Sequence, residues 1–188
     1  MAAKFWITLI ALSPLVFPNL SSLQSQNQKR EVKLIRLPPS AFRELPPEIV
    51  ASLEKRGCLV PQYWRDRPPH NVIKGEFLRK GRKDWAVLCS RKGSSSILVF
   101  WNGNTQSVSE IAGSKDETYM QTDGGTNLVY SRYISPVGRT YILDHYRSYE
   151  GPKPAVITHQ GIDDAFMGKG STIHYRYRGK WLELPGAD

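Results

Sequence analysis

Few residues in this chain are of types that do chemistry, and their spacing limits what they can do. The four histidines, His70, His145, His159 and His174, stand far apart, and no two have the short spacing that places a pair of ligands on one helix face. No metal is expected from them. There is no phosphate-binding glycine loop, no Gly-x-Ser-x-Gly elbow and no His-Glu-x-x-His, so no cofactor is expected either. The acids Asp163 and Asp164 are adjacent in "GIDDAFMGKG" and point about 100° apart on a helix or to opposite faces of a strand. They make no carboxylate pair by themselves, and the segment reads as a short helical turn with acids at its N-terminus, where the helix dipole favours them. Cys58 and Cys89 complete the inventory. Neither sits in a nucleophile signature or a Cys-x-x-Cys, and a bridged sulfur cannot attack, so a disulfide is expected rather than a catalytic thiol.

That expectation depends on the compartment. The chain opens "MAAKFWITLIALSPLVFPNLSSLQSQ", with Lys4 ahead of an apolar run from Phe5 to Phe17 and polar or small residues from Ser21 onward, the order of a secretory signal peptide. The run is shorter than the roughly 20 apolar residues of a membrane span and contains Pro14, so no stable span is expected. Residues 1–25 are therefore read as a signal peptide, and the product as exported to the periplasm or the extracellular space, where paired cysteines bridge. Closing the loop between Cys58 and Cys89 is worth roughly 3 to 4 kcal/mol in the chain-entropy model. The net charge of +9 favours acidic partners or simply solubility.

The elements that must hold these residues follow. Residues 26–46 read as an extended arm, because Pro38, Pro39 and Pro46 forbid regular helix. "PPEIVASLEKRGC" is a helix: Pro47 and Glu48 open it, Lys55 and Arg56 close it, Gly57 stops it, and Ile49, Val50 and Leu53 form its apolar face. Beyond a proline-rich loop over 59–71 the apolar period is two. Strands are expected over 72–77, 84–90, 96–101, 127–134, 140–146, 171–177 and 181–184, separated by Gly, Asn and Asp turn formers. The fold class is α+β, mostly β: one antiparallel meander with an N-terminal helix packed on it and a short C-terminal helical turn, all in a single domain over 47–188.

"GEFLRKGRKDWAVLCS" carries a resemblance. Gly75-Glu76-Phe77, then Gly81, then Asp84-Trp85-Ala86-Val87 resembles one FG-GAP-type repeat of integrin-like β-propellers, whose acidic loop holds calcium. It occurs once, so it implies a hairpin rather than a propeller. Only Glu76 and Asp84 stand at ligand positions, Leu78 and Lys80 replace the others, and two carboxylates cannot supply the six or more oxygens calcium takes. The expectation is a metal-free loop in which the Lys80 ammonium occupies the vacated cation position and bonds Glu76 and Asp84. More broadly, "RGCLVPQ", "NVIKGEF", "DWAVLCS", "ILVFW" and "GKWLELPGAD" resemble segments of a group of small exported bacterial proteins, a likeness that implies secretion and one domain.

In "STIHYRYRGKW" alternation places Ile173, Tyr175 and Tyr177 on one strand face and His174, Arg176 and Arg178 on the other. If neighbouring strands carry Arg132 and Arg147, then Arg132, Arg147, Tyr175, Arg176, Tyr177 and Arg178 form a candidate binding surface for sugar rings or charged polymer. The alternative is half-buried tyrosines with arginines protecting a sheet edge. The function these readings support is a non-enzymatic binding or structural domain for an anionic or carbohydrate component of the cell envelope. The alternative is a hydrolase of such a polymer, with its site among the histidines and Asp163 or Asp164. Nucleic acid is a weaker choice of partner, and the sequence does not set the oligomeric state.

Overall fold

The structure, a computed structural model, describes residues 31–65, 69–149, 154 and 156–187. The expected signal peptide lies outside the described residues. The chain runs through β1 (Val32–Lys33), β2 (Arg36–Leu37), α1 (Pro47–Lys55) and β3 (Val60–Pro61). It continues into a first antiparallel sheet of β4 (Val72–Gly75), β5 (Asp84–Arg91), β6 (Ser94–Phe100) and β7 (Val108–Lys115). After β8 (Met120–Thr122) and β9 (Leu128–Tyr130) comes a second, of β10 (Arg132–Val137), β11 (Gly161–Phe166), β12 (Gly170–Tyr177) and β13 (Lys180–Pro185). A helix, α2 (Arg139–Tyr149), stands between β10 and β11. β1 pairs with β9 in parallel, beside β8, and β2 pairs with β3.

The one expected meander is thus two meanders, stacked. Alternation along β5 explains the stacking, because Val87 and Cys89 face α1 while Ala86 and Leu88 face the second sheet. Both faces are apolar and both are covered. On the outer side Ile49 and Leu53 of α1, fully buried, pack on Val87, Leu98 and Phe100. Each such side chain contributes roughly 1.5 to 3 kcal/mol by leaving water. Between the sheets Leu88, Ile97 and Val99 meet Ile134 and Ile162. Beyond the second sheet Ile142 of α2 closes on Val137, Ile173 and Leu184. The order of layers is helix, sheet, sheet, helix.

Two segments correct the sequence reading. Residues 140–146, expected as a strand, lie in α2. Tyr141, His145 and Tyr149 recur at a spacing of four and lie against one another, with ring centroids 4.0 and 5.9 Å apart. Their aromatic composition resembles a strand, but the spacing suits a helix. The segment "GIDDAF", expected as a helical turn, is β11, paired with β10 and β12. β7 was not expected at all: it is poor in apolar residues, and its pairing with β6 is irregular between Ser95 and Ile97.

The disulfide is present: Cys58, just after α1, is bonded to Cys89 on β5, with the Cα atoms 5.3 Å apart. It pins the helix end to the sheet beneath it. Among the described residues no helix is long and apolar enough to cross a membrane.

Candidate ligand-binding groove

The hairpin loop between β4 and β5 is organised by Asp84, which is fully buried. Its Oδ2 accepts the backbone N–H groups of Phe77 and Leu78, both at 3.1 Å, and its Oδ1 accepts that of Asn102 at 2.8 Å. One carboxylate therefore joins the loop to the 3-10 turn over Trp101–Gly103 that follows β6. The cations complete the loop, though not as expected. Arg82 lies 3.4 Å from Asp84, and Lys83 donates to Glu76 at 2.9 Å. The role assigned to Lys80 falls to Arg82 and Lys83, while Lys80 is exposed. Three residues after Lys80, it is Lys83 whose ammonium reaches Glu76. That hydrogen bond, and then the Gly81 N–H, hold the Glu76 carboxyl below its usual range.

Wiring the loop to the Trp101 turn creates a groove. A cavity of about 500 Å³ is lined by Arg79, Arg82, Lys83, Trp101, Asn102 and Asn104. A second, of about 370 Å³, shares Arg82, Trp101 and Asn104 with it and adds Ser107 and Arg176. No acidic residue lines either one among the described residues. Trp101, which lines both cavities, stacks on Trp181 with ring centroids 5.7 Å apart. The Arg176 guanidinium lies 5.7 and 5.8 Å from the two ring centroids.

The surface expected from "STIHYRYRGKW" divides differently. The alternation holds, but Tyr175 is fully buried against α2, accepting the Thr158 N–H through its hydroxyl. Arg147 sits on α2, paired with Asp144, Arg178 lies over Tyr177 at the β12–β13 turn, and only Arg176 reaches the groove. Arg132 is no surface residue. It is fully buried between the sheets, and all five of its N–H donors have acceptors: Asp164 Oδ1 at 2.8 Å and Oδ2 at 2.7 Å, Ser95 O and Oγ at 3.1 Å, and Ala112 O at 2.6 Å. Tyr119 covers its face at 4.4 Å. Arg132 is a cross-link between sheets, tying β6 and β7 to β11.

The adjacent acids point to opposite faces of β11. Burial opposes ionisation of Asp164, but Arg132 and then His174 outweigh it and hold the carboxyl below its usual range. Asp163, on the α2 side, accepts from the Tyr141 hydroxyl at 3.2 Å, and burial raises it. His174 stands beside Asp164, its Nε2 3.5 Å from Asp164 Oδ2, too far for a well-formed hydrogen bond, while the charge of His145 acts on Asp163 from the α2 side. It lines a cleft of about 610 Å³ between the β7 and β13 edges, with Glu183 4.0 Å from its Nδ1. His70 is buried and takes the Tyr63 N–H, His145 bonds the Tyr141 carbonyl within α2, and His159 stacks on Tyr175 at 4.4 Å. Among the described residues no three His, Cys, Asp or Glu side chains group to hold a metal ion.

Apart from Arg176, the residues that line the groove were missed in sequence because they come from separate hairpin ends. Their signal is the run "LRKGRK" together with Trp101, just past the end of β6. No protein-family model matches the chain, and neither a curated protein nor a solved structure is significantly similar to it.

Proposed function

We propose that this protein is a non-enzymatic binding domain for an anionic polymer of the cell envelope, held in the groove across Arg79, Arg82, Lys83, Trp101 and Arg176. One observation carries the reading: the two joined cavities are lined by four cations and several amide and hydroxyl groups without a carboxylate. Such walls attract negative charge. The Glu76 and Asp84 carboxylates behind the loop are paired or bonded to backbone amides, which leaves the outward field basic. A neutral sugar has less to hold it, because Trp101 is only 9% exposed and its ring is already occupied by Trp181 and Arg176.

The hydrolase alternative draws its support from His174 and Asp164 beside a cleft. Both Asp164 oxygens are engaged by Arg132, which favours a structural role for that acid. Titration of indole fluorescence with anionic and neutral polymers tests the proposal. Saturable binding to the anionic set, weakening steeply with added salt, is the expected result. Equal affinity for neutral polymers, or shortening of the polymer by the protein, would overturn it.

A further inference from the structure

Within this groove, and resting on the reading just given, we infer a specific seat for a tetrahedral oxyanion between Arg82 and Arg176, which makes the ligand a phosphate- or sulfate-bearing chain rather than a polycarboxylate. Arg176 is half-buried, has no carboxylate within ion-pair distance among the described residues, and is held against two indoles. Its guanidinium therefore keeps its charge free for an anion in the groove. Its Nε is shielded and has no hydrogen-bond partner, and the same holds for Nε of Arg82, whose Asp84 neighbour stays at 3.4 Å. Both side chains line the smaller cavity together with Ser107 and Asn104, which add neutral donors.

The chemistry of that set selects its ligand. Two planar forks present paired donors suited to two oxygens of one tetrahedral group, and a hydroxyl and an amide remain for a third. The indole pair fixes the Arg176 plane in advance, so little side-chain freedom is lost on binding. Carboxylates, with two coplanar oxygens, engage one fork and leave the second unmatched. The larger cavity, with Arg79 and Lys83, then holds the next charge along the chain by proximity alone.

The experiment compares three soluble probes on the folded, disulfide-bonded protein at one ionic strength: linear polyphosphate, dextran sulfate and polygalacturonate. The expected order places polyphosphate or dextran sulfate at least about tenfold tighter than polygalacturonate, in line with the strength of bidentate charge-assisted bonds. Arg176→Gln and Arg82→Gln each remove most of that preference, Arg176→Lys keeps the charge and restores only part of it, and Arg147→Gln on α2 changes nothing. Polygalacturonate binding as tightly as the others, or Arg147→Gln costing as much as Arg176→Gln, overturns the seat while leaving the groove in place. Failure of all three probes to bind overturns the groove as well. Should Arg176→Gln fail to fold, Arg82→Gln and Arg176→Lys carry the test.

Discussion

Replacing Arg132 by Met is the sharpest test of how the two sheets are held together. The side chain it removes is fully buried and gives all five donors to β6, β7 and β11. What remains is the Asp164 carboxylate, only 4% exposed, with His174 at 3.5 Å as its nearest cation source. Leaving one member of a buried pair alone costs about 3 to 5 kcal/mol, more than the apolar gain of the Met side chain returns. Asp164→Leu leaves the guanidinium alone instead and costs a similar amount. The double variant Arg132→Met, Asp164→Leu removes both charges, and replacing a buried pair with apolar groups is close to neutral. The cycle therefore predicts strong coupling, with the double variant more stable than either single one. Urea denaturation at pH 7 reads it directly: with a slope of about 2 kcal/mol per molar, each single change lowers the midpoint by about 2 M. Singles costing less than about 1 kcal/mol, or a double equal to their sum, would refute the view that Arg132 and Asp164 form one inter-sheet cross-link.

Removing the disulfide with Cys58→Ala and Cys89→Ala should cost about 3 kcal/mol for the 31-residue separation, and a loss below about 1 kcal/mol would show that the bridge does not constrain the unfolded chain. Asp84→Ala strips the acceptor from three backbone amides and should cost about 3 kcal/mol, whereas millimolar calcium should leave the melting temperature of the unaltered protein where it is; a calcium-induced rise would contradict the metal-free loop. Asp163 titrates above its ordinary 3.8 because it is buried, so its contribution is fully present below that value and is lost as pH rises through the raised one. The stability of Asp163→Asn relative to the unaltered protein should accordingly climb between pH 3 and pH 7, and an opposite slope would show that Asp163 is stabilised as the anion.

The parts of the fold legible in sequence are those whose signals are local. Pro47 and Gly57 bracket α1, and β5 and β6 announce themselves as continuous apolar runs covered on both sides. The cysteine pair follows from its count and from the export that the N-terminal sequence leads one to expect. What failed did so because its cause lies far away in the chain. "GIDDAF" reads as a poor strand until Arg132 meets one acid and Tyr141 the other, from elements 22 and 32 residues distant. α2 reads as a strand because of its aromatic and β-branched residues, although Tyr141, His145 and Tyr149 recur at the helical spacing of four, and its buried Ile142 finds its partners only on the distant strands of the second sheet. The site fared likewise: the alternation of β12 was readable, but which of its faces looks outward depends on the layer that covers it.

The calcium-like loop shows why a basic run can occupy a motif built around a metal. In a metal loop the acids face inward to the ion, and the turn depends on its presence. Here Asp84 takes backbone amides from two separate segments, so the turn closes on hydrogen bonds, and Arg82 and Lys83 complete the charge balance from the loop itself. The same loop carries two further exposed cations, Arg79 and Lys80. The same Asp84 bond to the Asn102 N–H also sets the position of Trp101, and Trp101 with Trp181 sets that of Arg176. A single buried carboxylate thus fixes both banks of the groove relative to each other, and the preorganisation that the proposed binding calls for comes from backbone hydrogen bonds.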